Sequence, residues 1–131
     1  WVMLSDGELQ IGQTWEAIAA LVHHRLDSVH VVVDVNGQQC DGAIASVMTT
    51  EPMHARLAAF GCTVARIDGH DPQAIAQAAA LPHPGRPLVI LCDTDPCRGL
   101  PALRNNAPKL HYLRFAATAD RDPYQAALEA M

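Results

Sequence analysis

The run Val29–Val35, VHVVVDV, limits what this chain can fold into more than any other stretch. It is β-branched and almost continuously apolar. Neither the spacing of an amphipathic helix nor the alternation of a half-exposed strand describes it. A run of this kind reads as a strand covered on both faces, the pattern of parallel sheets with helices packed on each side. Pro87–Cys92, PLVILC, repeats it. Parallel strands need long crossovers, so the segments between these runs are expected to carry helices.

The remaining sequence supplies them. Trp1–Leu4 and Thr63–Ile67 read as further strands. Trp15, Ile18, Leu21, Val22 and Leu26 recur at helical spacing and predict a helix over about residues 13–26. Pro52 opens a second helix, through about Phe60, with Met53, Leu57 and Phe60 on one side. Asp71-Pro72 pairs an N-cap with proline at the first helical position, and that helix runs to about Ala80. Pro82-His83-Pro84-Gly85 is a turn, and about Thr94 to Thr118 is the least regular stretch. Arg121–Met131 predicts a last helix capped by Asp122. The expected fold class is α/β, a parallel sheet with helices on both faces, in a single domain spanning 1–131.

Composition narrows the function classes. With half of its 131 residues apolar, the chain can bury a sizeable core. The formal charge is −5 and the nine Lys and Arg residues are scattered, which argues against a nucleic-acid partner. No apolar run reaches membrane-spanning length. Cys40, Cys62, Cys92 and Cys97 have no paired spacing, as expected of thiols in a reducing compartment, and a cytoplasmic location is expected. The sequence opens on Trp1, inside a strand, so the expectation is that an earlier part of the domain is missing here.

In open parallel sheets ligands bind beyond the carboxyl ends of the strands. Those ends carry Asp6-Gly7-Glu8, Asn36-Gly37, Asp68-Gly69-His70 and Asp93-Thr94. Asp-Gly after a strand is commonly only a turn. Asn36 changes the reading, because it ends the very next strand, 30 residues on, and one strand–helix–strand unit brings the two tips side by side. A carboxylate, an amide oxygen and a nearby main-chain carbonyl are hard oxygen ligands suited to magnesium, which leaves its other positions to phosphate and water. Gly7 lets a phosphate approach backbone N–H groups, with a helix N-terminus behind it. The residues therefore imply a magnesium–diphosphate site. Glu8 has two open roles, facing the cofactor or starting the helix.

The stretch SDGELQIGQTWEA…LDSVHVVVDVNGQQCDG resembles the thiamine diphosphate motif of transketolases, Gly-Asp-Gly-Glu-Leu-Gln-Glu-Gly followed about 30 residues later by Asn. The similarity continues through EPMHARLAAFGCTVARIDGHD and GRPLVI, and more faintly to NAPKLH. The chain looks most like the N-terminal, diphosphate-binding subunit of a split transketolase. It is a divergent one that carries only the later part of that domain. The resemblance implies magnesium ligands at Asp6, Asn36 and the carbonyl of Gln38, and a diphosphate contact at Gly7. It also implies a role for His111 near the diphosphate and the substrate's reacting end. Its cofactors would be thiamine diphosphate and Mg2+. The reaction would be transfer of a two-carbon ketol unit from a ketose (phosphate) to an aldose. The chain offers no candidate for the glutamate that activates the aminopyrimidine, so the resemblance implies a second subunit with the pyrimidine-binding domain, in a hetero-oligomer built on a dimer.

Three departures from the family pattern stand out. Ser5 replaces the first glycine of the motif, and Asp95-Pro96-Cys97-Arg98-Gly99 replaces a Lys-Gly-Lys-Gly stretch. Ile11 replaces a glutamate of an acidic network that links two cofactors across the dimer, and a buried isoleucine relays no proton. The matched Glu16 is retained. Two alternatives stay open: a related thiamine diphosphate enzyme of keto-acid decarboxylation or acyloin formation, and a non-catalytic scaffold. Elsewhere plain roles are expected. Asp68-Gly69-His70 is structural, His23, His24 and His54 are surface or packing residues, and His30 is a core or interface residue. Cys97 is not a nucleophile, and Trp1 and Trp15 are core or interface anchors.

Overall fold

The computed structural model describes residues 1–107 and 110–130. Along the chain run β1 (Val2–Ser5), α1 (Gly12–His23), β2 (His30–Val35), a short hairpin of β3 (Gln38–Gln39) and β4 (Gly42–Ala43), α2 (Ile44–Val47), α3 (Met53–Phe60), β5 (Thr63–Asp68), α4 (Pro72–Ala79), β6 (Leu88–Asp93) and α5 (Asp122–Glu129). Short 3-10 turns occupy Asp6–Gln10, Pro101–Asn106 and Thr118–Arg121. The four long strands form one parallel sheet in the order β1-β2-β6-β5. The α/β class expected from the apolar runs is the class observed.

The order is not sequential. After β2 the chain crosses to the far edge as β5, and β6 then fills the gap between them. The register aligns the strand ends: Ser5 pairs with Asp34, Val35 with Asp93, and Asp68 with Asp93. Asp6, Asn36, Gly69 and Thr94 therefore follow directly from one rim of the sheet.

One face of the sheet packs Val31, Val33, Val35, Val89 and Leu91 against Ile18 of α1 and Met53 and Leu57 of α3. On the other face Leu88, Ile90 and Cys92 meet Ile75, Ala78 and Ala79 of α4. Side chains as deeply buried as Leu57, Val33 and Ile90 contribute about 1.5–3 kcal/mol each. β6 is thus covered on both sides. In β2 full burial alternates with partial burial, because α4 lies over β5 and β6 rather than over β1 and β2. On that thinly covered side Met3 is exposed, and Trp1 stacks on His30 at 4.5 Å between ring centroids.

Two helix boundaries differ from the sequence expectation. α1 ends at His23, not near Leu26. Arg25 takes φ +53°, and its N–H and that of Leu26 bond back to the carbonyls of Val22 and Leu21, which closes the helix in a Schellman arrangement. Asp122 is the first residue of α5 rather than its cap. Asp120, just before, accepts from the N–H groups of Ala116 and Ala117 instead. α3 ends at Gly61, with φ +109°, where an added Cβ would lie 2.9 Å from Val22 of α1. Among the described residues no helix is long and apolar enough to cross a membrane.

Candidate functional site

Asp6 begins the turn after β1 and is 1% exposed. Its Oδ2 accepts the N–H of Gly37 at 2.7 Å, which ties the tip of β1 to the tip of β2 across 31 residues. Its Oδ1 is buried with no hydrogen-bond partner. Burial raises the Asp6 carboxyl above its ordinary value, the N–H groups of Gly37 and Gly7 work the other way, and the charge of Asp34 adds to the rise. A carboxylate placed so is short of positive charge on one side.

Asn36 lies beside it. Its Oδ1 accepts the N–H of Gln38 at 2.8 Å, an Asx turn that starts the β3–β4 hairpin. Its Nδ2 donates to Asp34 Oδ2 at 2.7 Å. Gly37, at φ +70°, makes the reversal between them. Gln38 pairs with Ala43, and its side-chain Oε1 is buried and unpartnered. Asp6, Asn36 and Gln38 are thus drawn to one place, as the sequence predicts, and two of them carry unpartnered buried oxygens.

A cavity of 210 Å³ opens next to them, lined by Gly7, Glu8, Ile11, Asn36, Gln38 and His111 among others. A Cβ on Gly7 would meet only ordinary neighbours, the nearest being Gln39 Cβ at 3.5 Å. The chain's own packing does not demand glycine here. The helical segment behind Gly7 is the five-residue 3-10 turn, with α1 starting only at Gly12. Glu8 turns back onto the strand end, where its Oε2 accepts the Ser5 N–H at 2.7 Å and the Ser5 hydroxyl at 3.2 Å. It thus caps the turn while also lining the cavity. His111 is exposed on the cavity wall, with its ring edge-on to Tyr112. Cys40, the exposed one of the four free cysteines, sits 3.7 Å from the Tyr112 hydroxyl.

Ile11 is 53% exposed and lies between this cavity and a larger apolar groove of 640 Å³ walled by β1 and α1. The groove runs along the outer edge of the sheet, where β1 pairs with β2 alone. Asp68-Gly69-His70 makes the internal bonds of a turn. Asp68 accepts the His70 N–H, and His70 Nε2 accepts the N–H of Asp95, which fixes the start of the next loop. Arg104 pairs with Asp95. Cys97 is 4% exposed, and its N–H donates to Asp95 Oδ1 at 2.8 Å.

Sequence reasoning missed several polar residues around Asp6. Asp34, the one charge inside β2, accepts the Thr94 hydroxyl at 2.5 Å as well as the Asn36 amide. Asp6 and Asn36 also border a second cleft, of 380 Å³, with Thr50, Glu51, Arg66, Asp93 and Thr94. Arg66 binds both carboxylate oxygens of Asp93 and reaches Glu51 at 2.7 Å. Burial opposes ionisation of Glu51, but the Arg66 guanidinium holds its carboxyl below the ordinary value. The sequence signal available was a polar residue interrupting an apolar strand, at Asp34 and Arg66.

Among the described residues no three His, Cys, Asp or Glu side chains cluster as a metal-binding group. A cation here would rest on one carboxylate, an amide and a carbonyl, with its remaining positions left to ligand oxygens and water, a set that suits magnesium and not zinc. The orphaned Asp6 Oδ1 and the cavity beside Gly7 fit such a cation and an anionic group next to it.

Residues 1–114 match the family model described as transketolase, thiamine diphosphate binding domain. A transketolase family protein of Sinorhizobium fredii is 40% identical over 116 residues, covering 86% of this chain and 41% of its own length. The 6-deoxy-6-sulfo-D-fructose transketolase subunit of Clostridium sp. is 35% identical over 101 residues, covering 76% of this chain and 37% of its own. The chain thus spans well under half of the relatives it matches. In fold it resembles the transketolase of Campylobacter jejuni with a TM-score of 0.67 at 22% identity, over 97% of this chain and 23% of that one. On the strength of the family model over residues 1–114 and these relatives, the chain belongs to the transketolase family.

Proposed function

We propose that this chain is the magnesium- and diphosphate-gripping domain of a transketolase-like transferase. It would move a two-carbon ketol unit from a ketose, such as a sugar phosphate, to an aldose. In this reading residues 1–131 act as one domain, Asp6, the Asn36 amide and the Gln38 carbonyl hold Mg2+, and Gly7 lends its N–H to the diphosphate. The observation that carries the reading is the buried Asp6 carboxylate, bonded through one oxygen to Gly37 of the neighbouring strand tip and bare at the other.

Thiamine diphosphate, when bound, supplies the carbanion chemistry of ketol transfer. The residues of this chain bind and orient. Asp6 and Asn36 fix the metal end, which serves as a template for the diphosphate. Glu8 braces the turn that carries Gly7 by accepting from Ser5. His111, exposed on the cavity wall, is the group we assign to a substrate oxygen, where an imidazole can give or take a proton near neutral pH.

Activity would require a partner with the pyrimidine-binding domain. The relative named as a 6-deoxy-6-sulfo-D-fructose transketolase subunit supports this need for a second polypeptide.

The test is calorimetric titration of thiamine diphosphate in Mg2+ into the intact protein with its partner. Asp6→Ala and Asn36→Ala are each expected to abolish magnesium-dependent binding. An unchanged affinity in either variant refutes the site.

A further inference from the structure

Asp34 stands in the middle of the rim network without being one of the assigned ligands. Its Oδ1 accepts the hydroxyl of Thr94 at 2.5 Å, and its Oδ2 accepts Nδ2 of Asn36 at 2.7 Å. An ionised carboxylate only accepts hydrogen bonds. The Asn36 NH2 must then face Asp34, and the amide oxygen must face away, towards Gln38 N–H. That oxygen keeps a second lone pair. Left to rotate, the same amide would present NH2 as readily as oxygen, and a protonated amide nitrogen cannot ligate a hard cation.

Thr94 is itself held. Its N–H donates to the carbonyl of Val35 at 3.0 Å, in the strand next to its own. Gly69, at the end of β5, packs directly on it, and a Cβ there would come within 2.6 Å of Thr94 Cγ2. Three strand ends thus converge on one amide: β5 seats Thr94, β6 presents it, and β2 carries both Asp34 and Asn36.

We propose that Asp34 and Thr94 are positioning residues that set the Asn36 amide with its oxygen towards the cation. This rests on the reading of Asp6 and Asn36 as ligands. Thr94 orders one oxygen of Asp34, Asp34 orders the amide, and the amide meets the metal. The negative charge of Asp34 also favours a cation at Asp6, whose carboxyl it helps to raise.

The test uses the intact protein with thiamine diphosphate and Mn2+ as a paramagnetic stand-in, its affinity read by electron paramagnetic resonance. Thr94→Val keeps the shape and removes the hydroxyl, and an outer-shell loss of this kind should weaken Mn2+ binding about 10-fold. Thr94→Ala should do the same if valine disturbs packing, and Thr94→Ser should return affinity to within about twofold of wild type. A purely structural threonine would lower the thermal midpoint without changing the affinity of the folded protein. Wild-type Mn2+ affinity in both Thr94→Val and Thr94→Ala, with Asp6→Ala losing it, overturns the positioning role alone. Wild-type affinity in Asp6→Ala overturns the cation site itself, and the positioning role with it.

Discussion

Gly69→Ala should be costly although glycine-to-alanine changes are often mild. The new Cβ would lie 2.6 Å from Thr94 Cγ2, 2.9 Å from Cys92 Cβ and 3.1 Å from the Asp93 carbonyl oxygen. Comfortable carbon–carbon contact begins near ~3.5 Å. Thr94 could turn its methyl aside, but Cys92 Cβ and the Asp93 oxygen are fixed to the backbone of β6, which is 0–5% exposed from Leu88 to Cys92. The β5–α4 turn must therefore lift off β6. Overpacking of this kind costs about 1–3 kcal/mol, and two backbone-anchored contacts argue for the upper half. For a domain of this size that is a fall in thermal midpoint on the order of 6–12 °C. Gly12→Ala is the control, since nothing lies within 4 Å of its Cβ and it opens α1. Alanine there should be neutral or slightly stabilising. Differential scanning calorimetry of the intact protein measures both. A Gly69→Ala midpoint within 1 °C of wild type refutes the packing argument.

Glu8→Ala removes the acceptor for the Ser5 N–H and should cost about 1 kcal/mol, read as a lower thermal midpoint, while thiamine diphosphate affinity by calorimetry falls only a few-fold. Glu51 carries a lowered carboxyl pKa in the folded chain, so its contribution is present above the unfolded value of about 4.3 and is lost as pH falls through the folded value. Its side chain is 47% exposed, which keeps the effect below about 1 kcal/mol. The thermal midpoint of wild type should therefore drop more steeply than that of Glu51→Gln as pH is lowered from about 5 to 3. Parallel profiles would show that the Arg66 pair adds nothing.

Local pattern carried the strands, the class of fold and the approach of the β1 and β2 tips, because these depend on periodicities of a few residues and on one strand–helix–strand unit. The end of α1 was hidden because Leu26 continues the apolar period while Arg25 adopts a left-handed conformation usually left to glycine. Asp34 was visible as a charge in an apolar strand. Its partner Thr94 is 60 residues away on β6, which comes to lie beside β2 only because the chain visits the far edge first.

The rim is poorly satisfied, and this is what supports the proposed cation site there. A buried acceptor without a partner costs about 1–3 kcal/mol, more for a charged group, and such atoms are normally rare. Here Asp6 Oδ1 and Gln38 Oε1 both lack partners on adjoining elements, and Asp6 is held above its ordinary pKa chiefly by burial. Stability alone would favour an apolar or amide residue at position 6. A cation reverses the balance: it favours the ionised carboxylate and supplies the missing partner to Oδ1. The rest of the network is arranged so that this carboxylate cannot relax. Gly37 pins its other oxygen, and the Asn36 NH2 is committed to Asp34. Under the proposed function, the cost of leaving Asp6 Oδ1 unpartnered is free energy that a bound cation would recover, so that metal affinity and stability would be linked through one side chain.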